Sequence, residues 1–422
     1  MKMNKWTLGL AAVGLVSLAP GLRAADAGPT PVPVTGLTAT TISGYVDTSA
    51  VWNPGTGNAN PAPYAFNSGK QDGFNLDSVD IRLEKPLAEG QWSAGYVAEL
   101  MYGPDASVAL GSWAPVRQAY VDLRVPVGNG LDFKVGEWDQ LLGYESTDSY
   151  KNPNWTRSYG YTIEPTEHIG VLATYKFGDC VTAQVGVVND LSTGYNRNYS
   201  GGDETTIESK KGVVSLLSLT APDSWGWLKG SGFYAGVDYG PGNAYNLEES
   251  HVVDKTHLYV GATVNTPITG LSLGASWDTV NNSDLSVTTD SDSDREGYAS
   301  ALAAYLSYKA TDKLTLNTRF EYAHGSAFDA LFAGNPQSDY GESQYELKNG
   351  VPQESKVIAL TETVQYQLWD NVISRLEVRW DHSADGSPHF GGNSSYYYDE
   401  GYYGNPTKKN ELLVAANIIY KF

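Results

Sequence analysis

The connections in this chain are sorted by length. Segments of period-two alternation are joined in turn by tight turns and by long polar stretches, a pattern that few folds require. Reading for alternation bounded by turn residues places strands at 40–52, 74–84, 91–102, 117–125, 131–138, 167–177, 181–189, 212–220, 232–239, 256–265, 271–279, 298–308, 313–322, 356–369, 372–382 and 410–422. That is about 16 strands, inside the even-numbered range of bacterial membrane barrels. The connections 126–130, 177–180, 266–270, 310–312 and 369–371 are tight, whereas 53–73, 139–166, 190–211, 280–296, 323–355 and 383–409 are long. Barrels that cross an outer membrane have short periplasmic turns and long extracellular loops. A sandwich or propeller need not sort its connections this way, and closure removes the edges that so many neighbouring strands would expose. The expected fold is all-β, a transmembrane antiparallel up-and-down β-barrel over residues 38–422.

Both ends of the chain agree. The last strand places Leu412, Val414, Ala416, Ile418, Tyr420 and Phe422 on one face and runs to the final residue. Terminal residues usually make few contacts, so an apolar strand there needs a partner. Closing the barrel against the first strand supplies one, and marks Tyr420 and Phe422 as the closure and assembly signal. At the front, Lys2 and Lys5 precede an apolar run at 8–18 and small residues at Ala24, Ala25 and Ala27. This is the pattern of a cleaved secretory signal over 1–27, with cleavage after Ala24 as the alternative, followed by a Pro-rich periplasmic segment over 28–37. No Cys stands at the junction, which argues against a lipid anchor. The run is too short to span a bilayer of roughly 30 Å.

Composition narrows the function. The chain carries 29 Tyr, 11 Trp and 45 Gly with 18% charged residues, as expected where alternate residues face lipid and the rest face water. A formal net charge of −20 disfavours nucleic acid, which needs a basic footprint, and favours cations. Cys180 is the only cysteine, so one chain has no disulfide and no thiolate metal site. The six histidines, His168, His251, His257, His324, His382 and His389, lack metal-ligand spacing. The acidic run 290–296 resembles a calcium loop but has Arg295 where the turn Gly belongs. No cofactor or metal is expected. Neither is an enzyme: there is no Gly-x-Ser-x-Gly elbow, and the adjacent Asp381 and His382 should point to opposite faces of a strand.

Individual strands show a wet face and a dry one. Leu314, Leu316, Phe320 and Tyr322 oppose Asn317, Arg319 and Glu321, and Ala119, Val121, Leu123 and Val125 oppose Gln118, Tyr120, Asp122 and Arg124. Around Val79, Ile81 and Leu83 stand Asp80, Arg82 and Glu84, while Leu376, Val378 and Trp380 oppose Arg375, Glu377, Arg379 and Asp381, with Ile373 joining the apolar set after one slip. Arg or Lys at mid-membrane on a lipid face costs about 2–4 kcal/mol, so the charged faces should line a watery lumen. One residue resists: Glu362 has the parity of Ile358, Leu360, Val364 and Tyr366. A bulge there, or a place at the membrane boundary, would explain it.

Several blocks carry a family resemblance. Residues 116–123 (VRQAYVDL), 130–138 (GLDFKVGEW), 142–145 (LGYE) and 375–381 (RLEVRWD), with the terminal Phe422, resemble the OmpL-like β-barrel porin family. The resemblance implies a barrel with passive channel activity and names no solute. In similar porins the third long connection folds into the lumen, and trimers are usual. Here that connection, 139–166, carries Glu145, Asp148 and Glu164 with Lys151, Arg157, Trp155, Tyr159 and Tyr161. Glu145 and Asp148 on such a loop, facing Arg82, Arg117, Arg124, Arg375 and Arg379 on the wall, would set a transverse field that selects small polar solutes. Asp122, Arg157, Arg319, Glu321, Glu377 and Asp381 complete the pore-lining set. The competing reading is solvated loop charges and ordinary wall ion pairs.

The chain is therefore expected to be a weakly cation-favouring channel for passive diffusion of small hydrophilic solutes in a bacterial outer membrane. Its expected partners are outer-membrane lipid and lipopolysaccharide, the barrel-assembly machinery and two further copies in a homotrimer. The alternatives are a sugar-selective channel, suggested by Tyr396, Tyr397, Tyr398, Tyr402 and Tyr403 in the last long loop, and a barrel whose loops serve adhesion.

Overall fold

Each strand pairs with its neighbours in the chain until the last returns to the first. The computed structural model describes residues 32–33, 39–62, 70, 72–89, 91–109, 115–191, 210–241, 254–282, 297–325, 355–392, 396–397, 402–403 and 406–422. Sixteen strands form a closed antiparallel barrel. They are β1 Thr41–Trp52, β2 Gly73–Lys85, β3 Ser93–Tyr102, β4 Val116–Val125, β5 Leu131–Asp139, β6 Glu167–Lys176, β7 Val181–Val188 and β8 Gly212–Thr220. Then follow β9 Gly232–Pro241, β10 Asp254–Asn265, β11 Leu271–Asn282, β12 Gly297–Lys309, β13 Leu314–Gly325, β14 Ser355–Trp369, β15 Val372–Ser383 and β16 Asn410–Lys421. A two-residue strand, Val32–Pro33, adds to the foot of β1. The calcium-like run 290–296, the signal over 1–27 and His251 lie outside the described residues.

Alternation places the side chains as the sequence requires. On β13, Asn317, Arg319, Glu321 and Ala323 are buried inside while Leu316 and Phe320 are exposed outside. Exposed aromatics gather at both rims of the outer face: Trp52, Phe74, Tyr102 and Tyr239 toward the long loops, and Trp92, Phe177, Trp225 and Trp369 toward the short turns. Two such belts with an apolar band between them suit the two interfaces of a bilayer.

Three positions depart from simple parity. Ile373 points inward with Arg375 and packs against Tyr45 and Ile419, so β15 alternates without a slip. Arg117 shares the parity of the outward Ala119, yet it is buried on the inner side beside Gln118. The β3–β4 ladder skips a residue there, pairing Glu99 with Gln118 and Leu100 with Val116, and this bulge turns Arg117 into the lumen. Glu362 is outward and exposed. The bulge offered for it is absent: the ladder runs regularly through its pairs with Thr318 and Val378, and the irregularity of β14 lies at Gln367 and Trp369. It stands in the middle of its strand.

The seam between β16 and β1 runs from Val414↔Trp52 to Lys421↔Tyr45. Beyond it, Gly44 and Phe422 exchange two backbone hydrogen bonds of 3.0 Å each. A Cβ on Gly44 would run into the Asp80 carbonyl and the Phe422 ring, so a glycine lets the last aromatic lie against the first strand. Replacing Gly44 by Val should slow barrel closure and reduce the heat-resistant, fast-migrating band in detergent gels. Gly178→Ala, in open space, serves as the control; an unchanged Gly44→Val barrel would remove the seam from the argument.

At the long-loop rim, Asp385 accepts from the Lys356 amide at 2.8 Å and the Ser387 amide at 2.7 Å, and pairs with His389 at 2.5 Å. Burial raises its pKa, but His389 and the two amides outweigh this and hold it at about 2. Because that lies below the unfolded value of about 3.9, the turn's stabilisation is present above that value and is lost as pH falls toward 2. Hydrogen exchange at the Ser387 amide, corrected for intrinsic rates, should therefore lose protection between about pH 4 and about pH 2, and Asp385→Asn should abolish the pH dependence.

Candidate functional site

The third long connection, residues 140–166, lies inside the barrel. All of it is buried except Tyr150, Lys151 and Thr162, which are half-buried. Its first residues enter on apolar contacts: Leu141 and Leu142 pack with Trp138, Leu172, Val214 and Leu216 of the inner wall. A 3-10 turn, Ser149–Lys151, and a short helix, α1 Tyr159–Ile163, shape the rest. The Ser158 hydroxyl caps α1 by accepting from the Tyr161 amide at 3.1 Å, as an N-cap serine should. Gly160 lies against Asp278 so closely that a Cβ would meet its carboxylate.

A loop inside a barrel has no ladder to satisfy its backbone, and the wall arginines take that role. Arg375 donates to the carbonyls of Ser149 at 3.0 Å and Asn152 at 2.7 Å. Arg379 donates to the Arg157 carbonyl at 2.9 Å and chelates Asp381. Arg319 reaches the carbonyls of Thr156 at 2.7 Å and Arg157 at 3.1 Å, and also pairs with Glu145 at 2.8 Å and Glu321 at 2.7 Å. Wall carboxylates take the loop's amides. Glu377 accepts from Trp155 at 2.5 Å and Thr156 at 2.9 Å, and Glu321 accepts from Tyr159 at 2.6 Å. Arg157 stays within the loop, donating to the carbonyls of Trp155 and Thr147 at 2.9 Å each.

Across the lumen the loop meets β3 and β4. Arg117 donates to Asp148 at 2.5 Å, to Asp139 at 2.8 Å and to Glu99. Lys151 pairs with Asp148 at 2.6 Å. Burial raises the pKa of Asp148, but Arg117 and Lys151 outweigh it and hold the carboxyl well below its usual range. Carboxylate oxygens of Asp80, Glu99 and Asp148 come within 4.8 Å of one another. Arg117 and Lys151 already sit among them, so the cluster is an ion-pair knot and not a metal centre. Burial, with Asp278 and Glu145 close by, pushes the pKa of Glu164 well upward; its carboxyl accepts from Gln140 at 2.6 Å. Trp155 ties the loop to β2 through a 2.9 Å bond from its indole N–H to Asp77.

The predicted set therefore divides. Glu145, Asp148, Arg117, Arg319, Arg375, Arg379, Glu321, Glu377 and Asp381 meet at the docked loop. Arg82 pairs instead with Glu84 at 2.9 Å and Glu99 at 2.7 Å, and Arg124 donates two hydrogen bonds to the Asp132 carboxylate at 2.5–2.6 Å. Asp122 faces Lys134 across β4 and β5. Asp122 and Arg124 stay on the wall toward the short turns, and Arg82 joins the Asp148 knot only through Glu99. The separated charges expected across a gap are in fact in contact, which fixes the loop and shortens the field. Sequence reading missed Asp77, Glu99, Asp139 and Asp278 as loop anchors; the inward parity of Glu99 with Val97 and Met101 was the available signal. Asp381 and His382 point to opposite faces, the first to Arg379 and Tyr159, the second to Asn410 at 2.8 Å.

Replacing Arg319 by Met would strip donors from Glu145, Glu321 and two loop carbonyls. Breaking a buried pair from one side costs about 3–5 kcal/mol, so the denaturation midpoint should fall and single-channel current should rise and become noisy as the loop loosens. Lys229→Ala, which breaks an exposed pair with Asp223, should change neither. An Arg319→Met channel indistinguishable from the parent would show that these bonds do not hold the loop.

The family described as "Putative beta-barrel porin-2, OmpL-like" matches residues 39–422. No curated protein matches. Among solved structures, the fold is similar to an anion-selective porin from Comamonas acidovorans, with a TM-score of 0.58 and 12% identity over 91% of this chain and 99% of that one. It is similar to OmpT, an outer membrane protein of Vibrio cholerae, at 0.55 and 12% over 93% and 100%, and also in that protein's trimer form. The outer membrane channel DcaP of Acinetobacter baumannii gives 0.55 and 13% over 91% and 97%.

Proposed function

This chain belongs to the OmpL-like β-barrel porin family of the bacterial outer membrane, and we propose that it is a passive diffusion channel for small hydrophilic solutes and ions. The observation that carries this reading is the docked loop 140–166, fixed to a charge-lined wall from two sides. Transport is downhill and needs no cofactor. The residues before 39 act as a cleaved export signal, 1–27, and a periplasmic segment, 28–37; outer-membrane lipid surrounds the belts, lipopolysaccharide meets the long-loop rim, and the assembly machinery reads Tyr420 and Phe422. Three copies form the working unit, in keeping with the trimer form of the similar Vibrio protein.

A weak preference for cations follows from the formal net charge of −20. Distant loop charges are screened over about 8–10 Å, so charges beside the path decide. Lys151, Asp139, Arg82 and Glu84 are partly exposed, with side-chain exposures of 15%, 17%, 18% and 40%. At 12% identity the anion selectivity of the Comamonas porin is no guide to this chain. The docked loop offers few aromatic faces to solvent, since Trp155, Tyr159 and Tyr161 are buried, which favours general diffusion over sugar selection.

Refolded mature chain in a planar bilayer under a salt gradient should give stable ohmic steps with a reversal potential of cation-selective sign. Lys151→Glu should move that potential further in the same direction. A folded barrel without conductance would overturn the channel reading and leave adhesion by the loops; an anion-selective potential would overturn the cation preference alone.

A further inference from the structure

Side chains from three elements converge on one buried ammonium. Lys70, in the connection between β1 and β2, is 4% exposed and pairs with Asp105 at 2.5 Å and with Asp77 at 3.7 Å. Asp77 comes from β2. Asp105 belongs to a short helix after β3, Pro104–Ala109, which packs Ala106 on Met101. The docked loop supplies the third contact, the face of the Trp155 indole, whose centroid lies 4.8 Å from the Lys70 Nζ. Burial lowers the pKa of Lys70, but Asp105 and Asp77 outweigh it and raise the value, so the group keeps its charge.

The surroundings of that ammonium are held by bonds of their own. Asp77 accepts from the Ser49 hydroxyl at 2.7 Å and from the Trp155 indole N–H at 2.9 Å, which fixes the carboxylate and the ring against each other without the lysine. Asp47 of β1 stands near enough to act on the Lys70 charge. One of its oxygens accepts from Asn417 at 3.0 Å, while the other is buried and makes no hydrogen bond. Arg375 also approaches Asp47, yet its donors go to Gln365, Ser149 and Asn152. Three buried carboxylates thus surround one ammonium. Carboxylates take the N–H donors of an alkylammonium ion and an aromatic face takes its charge; sodium has no N–H to direct at them.

We propose that Asp77, Asp105 and the Trp155 face form a recognition site for primary alkylammonium groups, which Lys70 fills from within the chain and which amine solutes contest. This gives the channel read above a solute class, small organic amines, and rests on that reading for their entry. A tethered group acts at an effective concentration of roughly millimolar, so free amine contests the site from about that range upward.

The test reads barrel stability and not current. Refolded mature chain is heated in detergent with propylammonium chloride or with an equal concentration of sodium chloride, and the midpoint for loss of the heat-resistant band is measured. Lys70→Ala opens the site, and a propylammonium ion restores the carbons and the charge that the substitution removes. The midpoint of Lys70→Ala should fall below the parent's, and propylammonium should bring it back where sodium does not. Adding Asp105→Asn should weaken that rescue about ten-fold or more, the worth of one hydrogen bond to a charged group. Where Lys70→Ala does not fold in sodium, the readout is refolding: heat-resistant barrel formed in the amine and not in sodium supports the site. Propylammonium that does no more than sodium, in heating or in refolding, overturns the proposal, as does a rescue that Asp105→Asn leaves intact. An equal effect on the parent marks a general action of the amine and overturns it too. Conductance of the parent, measured on the same preparation, decides the channel reading separately.

Discussion

Hydrocarbon supplies no hydrogen-bond partners, so every backbone N–H and C=O in a membrane wall must be paired within the wall. A sheet meets that demand only by closing on itself. The seam between β16 and β1 is therefore the contact on which the other strand pairs rely, and it extends to the end of the chain, where Phe422 exchanges two bonds with Gly44. Closure in turn separates an inside from an outside. Once the wall exists, alternation along each strand sends Arg319 and Glu321 one way and Leu316 and Phe320 the other.

The inside then poses the opposite problem. A long irregular loop placed in the lumen carries its own unpaired carbonyls and amides, and desolvating them without partners would be costly. The wall answers with groups that make several directed bonds at once. A guanidinium presents five donors in a planar fork, and Arg319, Arg375 and Arg379 spend theirs on carbonyls of residues 149, 152, 156 and 157. Glu321 and Glu377 receive the complementary amides. Wall charge in this barrel is first a docking device, and only its unburied remainder faces solute.

That division explains what could be read from the residues alone. Strand number and the two faces were legible because closure and alternation are periodic, and the periodicity is written in the order of apolar and polar side chains. The bulge at Arg117 was not, because an unpaired residue leaves no mark in a parity count; strict alternation would have sent that arginine to the outer face. Ile373 misled for the reverse reason, since an apolar residue inside looks like one outside until its neighbours Tyr45 and Ile419 are known. The partners of Arg375 and Arg379 were also hidden. Backbone carbonyls accept regardless of the side chain beside them, so no residue type announced the contact, whereas the carboxylate partners of Arg117 and Arg319 could at least be guessed by charge.

Glu362 reverses the usual inference from charge to water. Inside the barrel a carboxylate is ordinary, because guanidinium groups and loop amides surround it. On the outer face the same group has one hydroxyl, Thr318, and a ring of aliphatic neighbours. The sequence marked it as an exception to parity, and the bulge that would have turned it inward is absent from β14. When the ladder cannot relieve a polar group on the outer face, relief has to come from what lies against that face.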